Sequence, residues 1–558
     1  MPSTIDPITR SVVQHRLSSI VAEMGEAMLR TSYSQILNSS RDFSLAICDT
    51  KARLIAQADH IPVHVGALPW ATLAVEKRFS DIAPGDVILL NDPYHGGSHL
   101  PDITAFVPIF DDKRRLYWTI VRAHQSDIGG ATHGGYNPAA TEIWQEGLRI
   151  PPVKLYEAGR LRDDLLDMLA LNVRNARDFR GDLAAMVGAA HLGERRMARL
   201  FAEFGAPTVA AAVELILDAA EQQARAEIAS WKDGVFYGEA LLDDDGRGHN
   251  DIRIAAKVTK KGSTIEVDLS DSDPQTTSFV NSSHANTQAA VSMAFAYLID
   301  ADIPKNSGAL RPLSIVTKQG TIVHADEGRP VTLCTSHPSN EIVEAVIKAL
   351  AKSCPGRTMA GWGRRFRIAI QGEDPRSGRN FIWHMFQARP GGGASPGGDG
   401  WSSIGEWHSV GGIKFGSLEV DEVRFPLHFR YHEFRPDSGG DGQFRGGLGV
   451  ALDLVVETEK PALANTAGDG ARHGPCGLLG GKDGAPHHYR LLSQGRAPRT
   501  LRTKEVGIEI LPGDYIEVRS SGGGGWGPPD RRLKTARERD LAQGLVTQNH
   551  PKTKDALE

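Results

Sequence analysis

Asn91-Asp-Pro-Tyr-His-Gly-Gly-Ser-His99-Leu-Pro-Asp102, then two β-prone runs, then His124-Gln-Ser-Asp127-Ile-Gly-Gly130, is the stretch on which the reading of this chain turns. Residues 102–110 and 116–124 are rich in β-branched and aromatic side chains, and the charged segment Asp111-Asp-Lys-Arg-Arg115 between them is a turn, so the spacing predicts a hairpin. Pairing Phe110 with Leu116 sets Asp102 opposite His124. Cross-strand partners on one face have Cβ atoms roughly 4.5–5.5 Å apart, close enough for two ligands of one ion. His99, three residues before Asp102 where the chain turns into the strand, approaches from a third direction. A slip of one residue would send His124 to the opposite face. Taken singly, each of these residues also suits a hydrogen-bonded strand end or a turn cap. Two imidazoles and a carboxylate converging through one hairpin are the donors that a borderline divalent cation such as Zn²⁺ or Mn²⁺ takes.

Outward from the hairpin, Asp6-Pro7 starts a helix, with Val13, Leu17, Ile20, Val21, Met24 and Met28 at helical spacing up to about Thr31. A second hairpin is expected over Asp42–Cys48 and Arg53–Gln57; Asp42, at the mouth of its first strand, is the candidate fourth metal ligand or a cap after Ser40-Arg41. His60 and His64 in the Asp59–Gly66 stretch lack a trusted metal spacing and suit a pocket lining or satisfied core positions. Helices are expected over Ala67–Phe79, Asp163–Leu171, Leu183–Phe204 and Thr208–Trp231. From Val235 alternating strands appear, with helices over Ala285–Leu298 and Asn340–Ala351. Glycine clusters at 391–400, 437–449, 477–484 and 522–529 lie among short strands and suggest a β-sandwich-like region; the first carries no Lys-Ser/Thr and so is not a phosphate-binding loop. The expected class is α+β and multidomain: an N-terminal mixed α/β metal-binding region with a helical segment (1–234), a β-rich middle α+β domain (235–370), a Gly-rich β-sandwich-like C-terminal domain (371–530) and a charged, partly helical tail (531–558).

With 558 residues the chain is too long for one small core. Net charge is −5 with no basic block, which argues against non-specific nucleic-acid binding. The four cysteines, Cys48, Cys334, Cys354 and Cys476, form no CxxC pair, so neither a zinc ribbon nor a disulfide scaffold is indicated, and a reducing cytoplasm fits. Met1-Pro-Ser-Thr-Ile-Asp6 has no basic segment followed by an apolar run, so no secretory signal is read. No run approaches ~18 uninterrupted apolar residues, so no membrane span is expected.

Several stretches carry a resemblance in a fixed order: Arg41-Asp-Phe-Ser44, His60-Ile-Pro-Val-His64-Val-Gly66, Asn91-Asp-Pro-Tyr94 with Gly96-Gly-Ser-His99-Leu-Pro-Asp102, and His124 with Asp127-Ile-Gly-Gly130. Glu146-Gly-Leu-Arg-Ile-Pro-Pro152, Asp437-Ser-Gly-Gly440, Phe444-Arg-Gly-Gly-Leu-Gly449 and Gly522-Gly-Gly-Gly525 continue it. From about Asp6 to about Asp530 the chain resembles the hydantoinase B/oxoprolinase family, the non-nucleotide subunit of ATP-dependent cyclic-amide hydrolases. The resemblance implies a hydantoinase A-like partner of actin-like fold that binds ATP and phosphorylates the lactam oxygen, in a hetero-oligomer with two of each subunit or more. It implies that the subunit like this one holds the metal whose water attacks the activated carbon of a small cyclic amide. In acetone carboxylase, a relative, the corresponding subunit binds manganese through His-x-x-Asp and a later His, which map onto His99, Asp102 and His124. Asp127 and Glu146 are candidate general bases or outer partners of the ligating imidazoles, or caps of Gly-rich turns. The chain has no recognisable ATP site of its own, and acetone carboxylase subunits of this type are usually longer. The alternatives are an acetone-carboxylase-like ligase subunit and a non-catalytic scaffold with a structural metal.

Overall fold

A computed structural model describes residues 5–548 except Asp59, Lys113 and Phe415. Residues 1–4 and 549–558, and with them part of the segment read for a signal and the end of the charged tail, lie outside the described residues.

Asp6 caps the first helix as its sequence dictates, its carboxylate accepting from Ile8 and Thr9 N–H, and α1 (Pro7–Thr31) runs to Thr31. A short helix, α2 (Gln35–Asn38), leads into the strands β1 (Phe43–Asp49) and β2 (Leu54–Ala58). Two helices follow, α3 (Pro62–Gly66) and α4 (Leu68–Arg78), then β3 (Val87–Leu90), β4 (Asp102–Asp111), β5 (Arg114–His124), β6 (Val153–Glu157) and β7 (Arg160–Leu161). These strands form one sheet of order β2-β1-β5-β4-β3-β6-β7, antiparallel throughout. Both faces are covered, which is why β1, β3, β4 and β5 read as nearly continuous apolar runs. On one face Trp118, Ile120, Phe106, Ile88 and Cys48 pack with Leu68, Ala71 and Val75 of α4.

The helices α5 (Asp163–Leu171), α6 (Ala176–Phe204) and α7 (Ala206–Ala229) come next. α6 covers the other face of the sheet, where Ala190 O accepts from Thr119 Oγ1 at 2.9 Å. It starts seven residues before the expected Leu183, because Asn175 caps it and its first turn is polar, which the apolar rhythm does not register. Gly193 sits where α6 crosses the sheet: a Cβ there would lie 2.6 Å from Thr119 Cγ2. Among the described residues no single helix is long and apolar enough to cross a membrane; α6 and α7 reach that composition only as a pair, across a 103° bend.

The middle of the chain forms a second sheet from β8 (Gly234–Asp244), β9 (Asn250–Lys261), β10 (Thr264–Asp268) and β11 (Leu313–Val316), with α8 (His284–Leu298) and α9 (Pro338–Leu350) beside it. One apolar core runs without interruption from Val13 through both sheets and their helices.

The strands β12 (Phe366–Asp374), β13 (Arg379–His384), β14 (Leu427–Phe434), β15 (Val450–Val456), β16 (Ala462–Gly468), β17 (His488–Leu492), β18 (Arg499–Thr500), β19 (Lys504–Ile510) and β20 (Tyr515–Arg519) form two further sheets, of order β13-β12-β16-β19 and β14-β15-β20-β17-β18, that face each other across a separate core. It is filled by Phe366, Ile368 and Ile370 of β12 and Leu452, Leu454 and Val456 of β15, so the two sheets pack as a sandwich. The glycine clusters are close backbone packing: Gly523 donates to Gly447 O and Gly447 to Gly392 O, both at 2.8 Å. A Cβ on Gly523 would fall 1.9 Å from Gly392 O. Arg532, at the start of the tail, is held by Asp399 at 2.7 and 2.9 Å and by Asp540 at 2.5 Å.

Candidate metal centre

The loop that carries His99 is fixed from both ends. Asn91, delivered by β3, donates through Nδ2 to Leu100 O (2.7 Å) and Leu148 O (2.9 Å), and its Oδ1 accepts from Ile150 N–H (2.7 Å). Asp92 caps the turn Pro93–His95 and pairs with Arg149. Gly97 lies so close to the strand end that a Cβ would fall 2.2 Å from Asn91 O. The hairpin then pairs Asp102 with His124, as the spacing predicts. At the turn the register departs from the expectation: Phe110 pairs with Arg115 rather than Leu116, through a bulge after Ile109 that adds one residue on the β5 side. The site-bearing end keeps its register because both faces of these strands are buried.

His99, Asp102 and His124 are 0–2% or 3% exposed, and one ligand atom from each lies within 4.8 Å of the others. His99 Nδ1 is 2.6 Å from Thr332 O, a contact that needs the ring proton on Nδ1. Neutral His99 therefore turns a bare Nε2 lone pair toward Asp102 Oδ1 at 2.8 Å. His124 Nδ1 donates to the same oxygen at 3.1 Å and is 3.2 Å from His99 Nε2. Two acceptors in contact in a buried site repel unless positive charge stands between them, as a proton or as a metal ion. Burial opposes protonation of His99, but the Asp102 carboxylate outweighs it and raises the ring above its ordinary range. Burial works against Asp102 too, and the surrounding imidazoles hold it well below the usual carboxylate range. His124 is depressed to about 4 by burial, and its Nε2 has no hydrogen-bond partner. The donor set, two imidazoles and a carboxylate with a lone pair already facing inward, fits a borderline divalent ion.

Asp42 lies against this group rather than within the tightest trio. Its backbone carbonyl accepts from His124 N–H at 3.0 Å, its Oδ1 is 3.7 Å from His64 Nε2, and its Oδ2 is 3.7 Å from Arg367 Nη2. Burial raises its pKa, and His124, His64 and Arg367 together bring it below the ordinary value. His64, on the single turn of α3, reaches Asp102 Oδ2 at 3.3 Å with its Nδ1 unpartnered. Sequence reasoning left His64 between pocket and core; the signal available was its place in the family stretch ending at Gly66. His60 packs on the Phe43 ring at 4.7 Å instead.

Glu146 and Asp127 are buried and pinned by hydrogen bonds. Glu146 accepts from the N–H of Val331 and Thr332, both at 2.9 Å, and Thr332 is the residue whose carbonyl fixes His99. Burial pushes the Glu146 carboxyl up to about 7. Asp127 accepts from Gly129 N–H, Arg174 N–H and Arg174 Nη1, and so closes the loop after His124. Thr332 and Arg367 were beyond sequence reasoning, since they reach the site from more than two hundred positions away.

The sequence model described as Hydantoinase B/oxoprolinase matches residues 6–529. The chain is 35% identical to the caprolactamase subunit beta of Pseudomonas jessenii, over 98% of this chain and 95% of that one. The crystal structure of the ATP-dependent caprolactamase from Pseudomonas jessenii superimposes with a TM-score of 0.93 at 33% identity, covering 98% of this chain and 96% of that one. The nucleotide-free acetone carboxylase structure shares the fold, with a TM-score of 0.87 at 19% identity over 97% of this chain and 78% of that one.

Proposed function

The chain belongs to the hydantoinase B/oxoprolinase family, and from that premise we propose that it is the metal-binding subunit of an ATP-dependent cyclic-amide hydrolase. Its substrate is a hydantoin-, oxoproline- or caprolactam-like ring, activated by phosphorylation on a separate ATP-binding subunit. The observation that carries the reading is the contact of His99 Nε2 with Asp102 Oδ1 at 2.8 Å, with the ring's only neutral-state proton committed to Thr332. Kinship with a caprolactamase subunit supports the substrate class and the need for a partner.

His99, Asp102 and His124 would hold the ion, with Asp42 and His64 at their side. Bound there, a divalent ion supplies Lewis acidity, the property that makes water a nucleophile at neutral pH. Thr332 fixes the tautomer of His99, and Glu146 fixes Thr332, so Glu146 acts as a positioning residue through the backbone. Asp127 holds the loop after His124 through Arg174. Ser98 Oγ, donating to Asp102 Oδ2 at 2.6 Å, keeps that carboxylate turned so that Oδ1 faces the two imidazoles. An amide resists water through resonance; phosphorylating its oxygen removes that resonance and leaves an electrophilic carbon, and ring opening then needs water to add there and the C–N bond to break with the amine departing.

The test is reconstitution with the ATP-binding partner and assay of ε-caprolactam, hydantoins and 5-oxoproline. Ring opening is expected to need ATP, both chains and the metal. Lactam opening by this chain alone, or bicarbonate-dependent ketone consumption in place of ring opening, would overturn the proposal.

A further inference from the structure

The buried polar region continues past the imidazoles. β12 alternates: Phe366, Ile368 and Ile370 enter the sandwich core, so Arg367 faces the other way, toward Asp42. Arg367 is 4% exposed and lies over the rings of Tyr136 at 5.1 Å and Phe386 at 4.7 Å. Arg365 lies over Phe386 as well, at 5.0 Å, and its Nη1 donates to His408 Nε2 at 3.1 Å. Neutral His408 thus carries its proton on Nδ1. Arg367 Nε, Arg367 Nη1 and His408 Nδ1 are all buried without an acceptor among the described residues. Buried N–H groups are almost always paired, so donors left open on side chains within electrostatic reach of one another mark a place for an acceptor.

Charge points the same way. Arg365, Arg367 and Arg389 lie within electrostatic reach of Asp42 and Glu406, and Arg122 and Arg367 of Asp102, all of them buried, so the carboxylates beside the site already face guanidinium groups. A divalent ion on His99, Asp102 and His124 would add positive charge to a region shielded from water, where an uncompensated excess is costly. A dianion would offset that charge and supply the missing acceptors, and guanidinium groups are suited to phosphoryl oxygens.

We propose that Arg367, flanked by Arg365 and His408, forms the subsite for the phosphoryl dianion of the activated substrate beside the metal centre. This rests on the reading of the protein as a hydrolase of phosphorylated cyclic amides. A cleft bounded by Arg365, Met385, Phe386, Arg389, Glu406 and Ile413 shares with this group Arg365, which donates to His408, and Phe386, whose ring lies under Arg367. At about 10 Å³ it has room for one water, so a phosphoryl group enters there only if the cleft widens.

The test is calorimetric binding of inorganic phosphate to the full chain, metal-loaded and chelator-stripped, with metal content measured in parallel. Loaded wild type is expected to bind phosphate, and stripping to weaken it about tenfold or more. Arg367→Met is expected to weaken it about tenfold or more at unchanged metal content, with Arg367→Lys in between. In complex with the ATP-binding partner, Arg367→Met is expected to slow ring opening while ATP cleavage continues. A site for released phosphate alone would leave ring opening unchanged, and that result overturns the proposal. Retained metal with no phosphate binding, or equal binding by Arg367→Met, removes the subsite and leaves the metal reading standing. If Arg367→Met does not fold, equal affinity of loaded and stripped wild type overturns the subsite by itself. A wild-type chain that retains no divalent ion overturns the metal reading and the subsite with it.

Discussion

His99 shows how one proton sets the chemistry of a site. Thr332 takes the proton at Nδ1, and the opposite nitrogen is left facing a carboxylate that it can approach only across a positive charge. His99→Ala and His124→Ala are each expected to abolish metal retention while the circular dichroism of the fold persists; full metal content in either variant contradicts the assignment. Glu146 carries a pH signature. Its folded pKa of about 7 lies above the ordinary 4.5 because it is buried, so the folded state binds the extra proton between those values. This contribution to stability is fully present below about pH 4.5, falls as pH rises toward 7 and is flat above. In thermal melts of the metal-free chain, Glu146→Gln is expected to flatten that slope; an unchanged slope would show that Glu146 does not titrate there. At this scale the trio His99, Asp102 and His124 was legible because adjacent strands turn sequence spacing into distance. His64 was not, because α3 is a single helical turn whose direction is set by packing on α8, as at Gly66 against Ala289.

Among elements, the β4–β5 hairpin decides whether the site exists. Its open end keeps the pairing that the sequence predicts, while the bulge after Ile109 absorbs the mismatch at the turn. Strand positions with both faces buried resist slippage, and the solvent-side turn does not, which is why register could be read at one end and missed at the other. The loop before the hairpin is set by close backbone approach. Gly97→Ala would push a methyl into Asn91 O, costing about 1–3 kcal/mol by overpacking and displacing His99. The variant is expected to lose stability and metal affinity together with every ligand intact; wild-type metal affinity in a destabilised variant would show that the loop does not position the site. The start of α6 was missed for a different reason: a polar first turn capped by Asn175 leaves no apolar period to read.

The whole molecule closes the site from regions far apart in sequence. Thr332 arrives just before α9 and Arg367 from the C-terminal sandwich, and one core continues across the N-terminal and middle sheets. The fold class and most element positions were legible because amphipathic period and turn residues are local signals. Thr332, Arg367 and the shared core were not, because they depend on how finished layers dock. A fragment ending at residue 234 is therefore expected to retain no metal, its His99 lacking the Thr332 carbonyl; a folded fragment with full metal content would contradict this. The most direct test of the central claim is anomalous diffraction from crystals of the full chain grown with Mn²⁺ or Zn²⁺, recorded at the metal's absorption edge. The account predicts one strong peak in contact with the side chains of His99, Asp102 and His124. A metal-loaded protein whose peak lies elsewhere, with those three side chains bound only to one another, would contradict it.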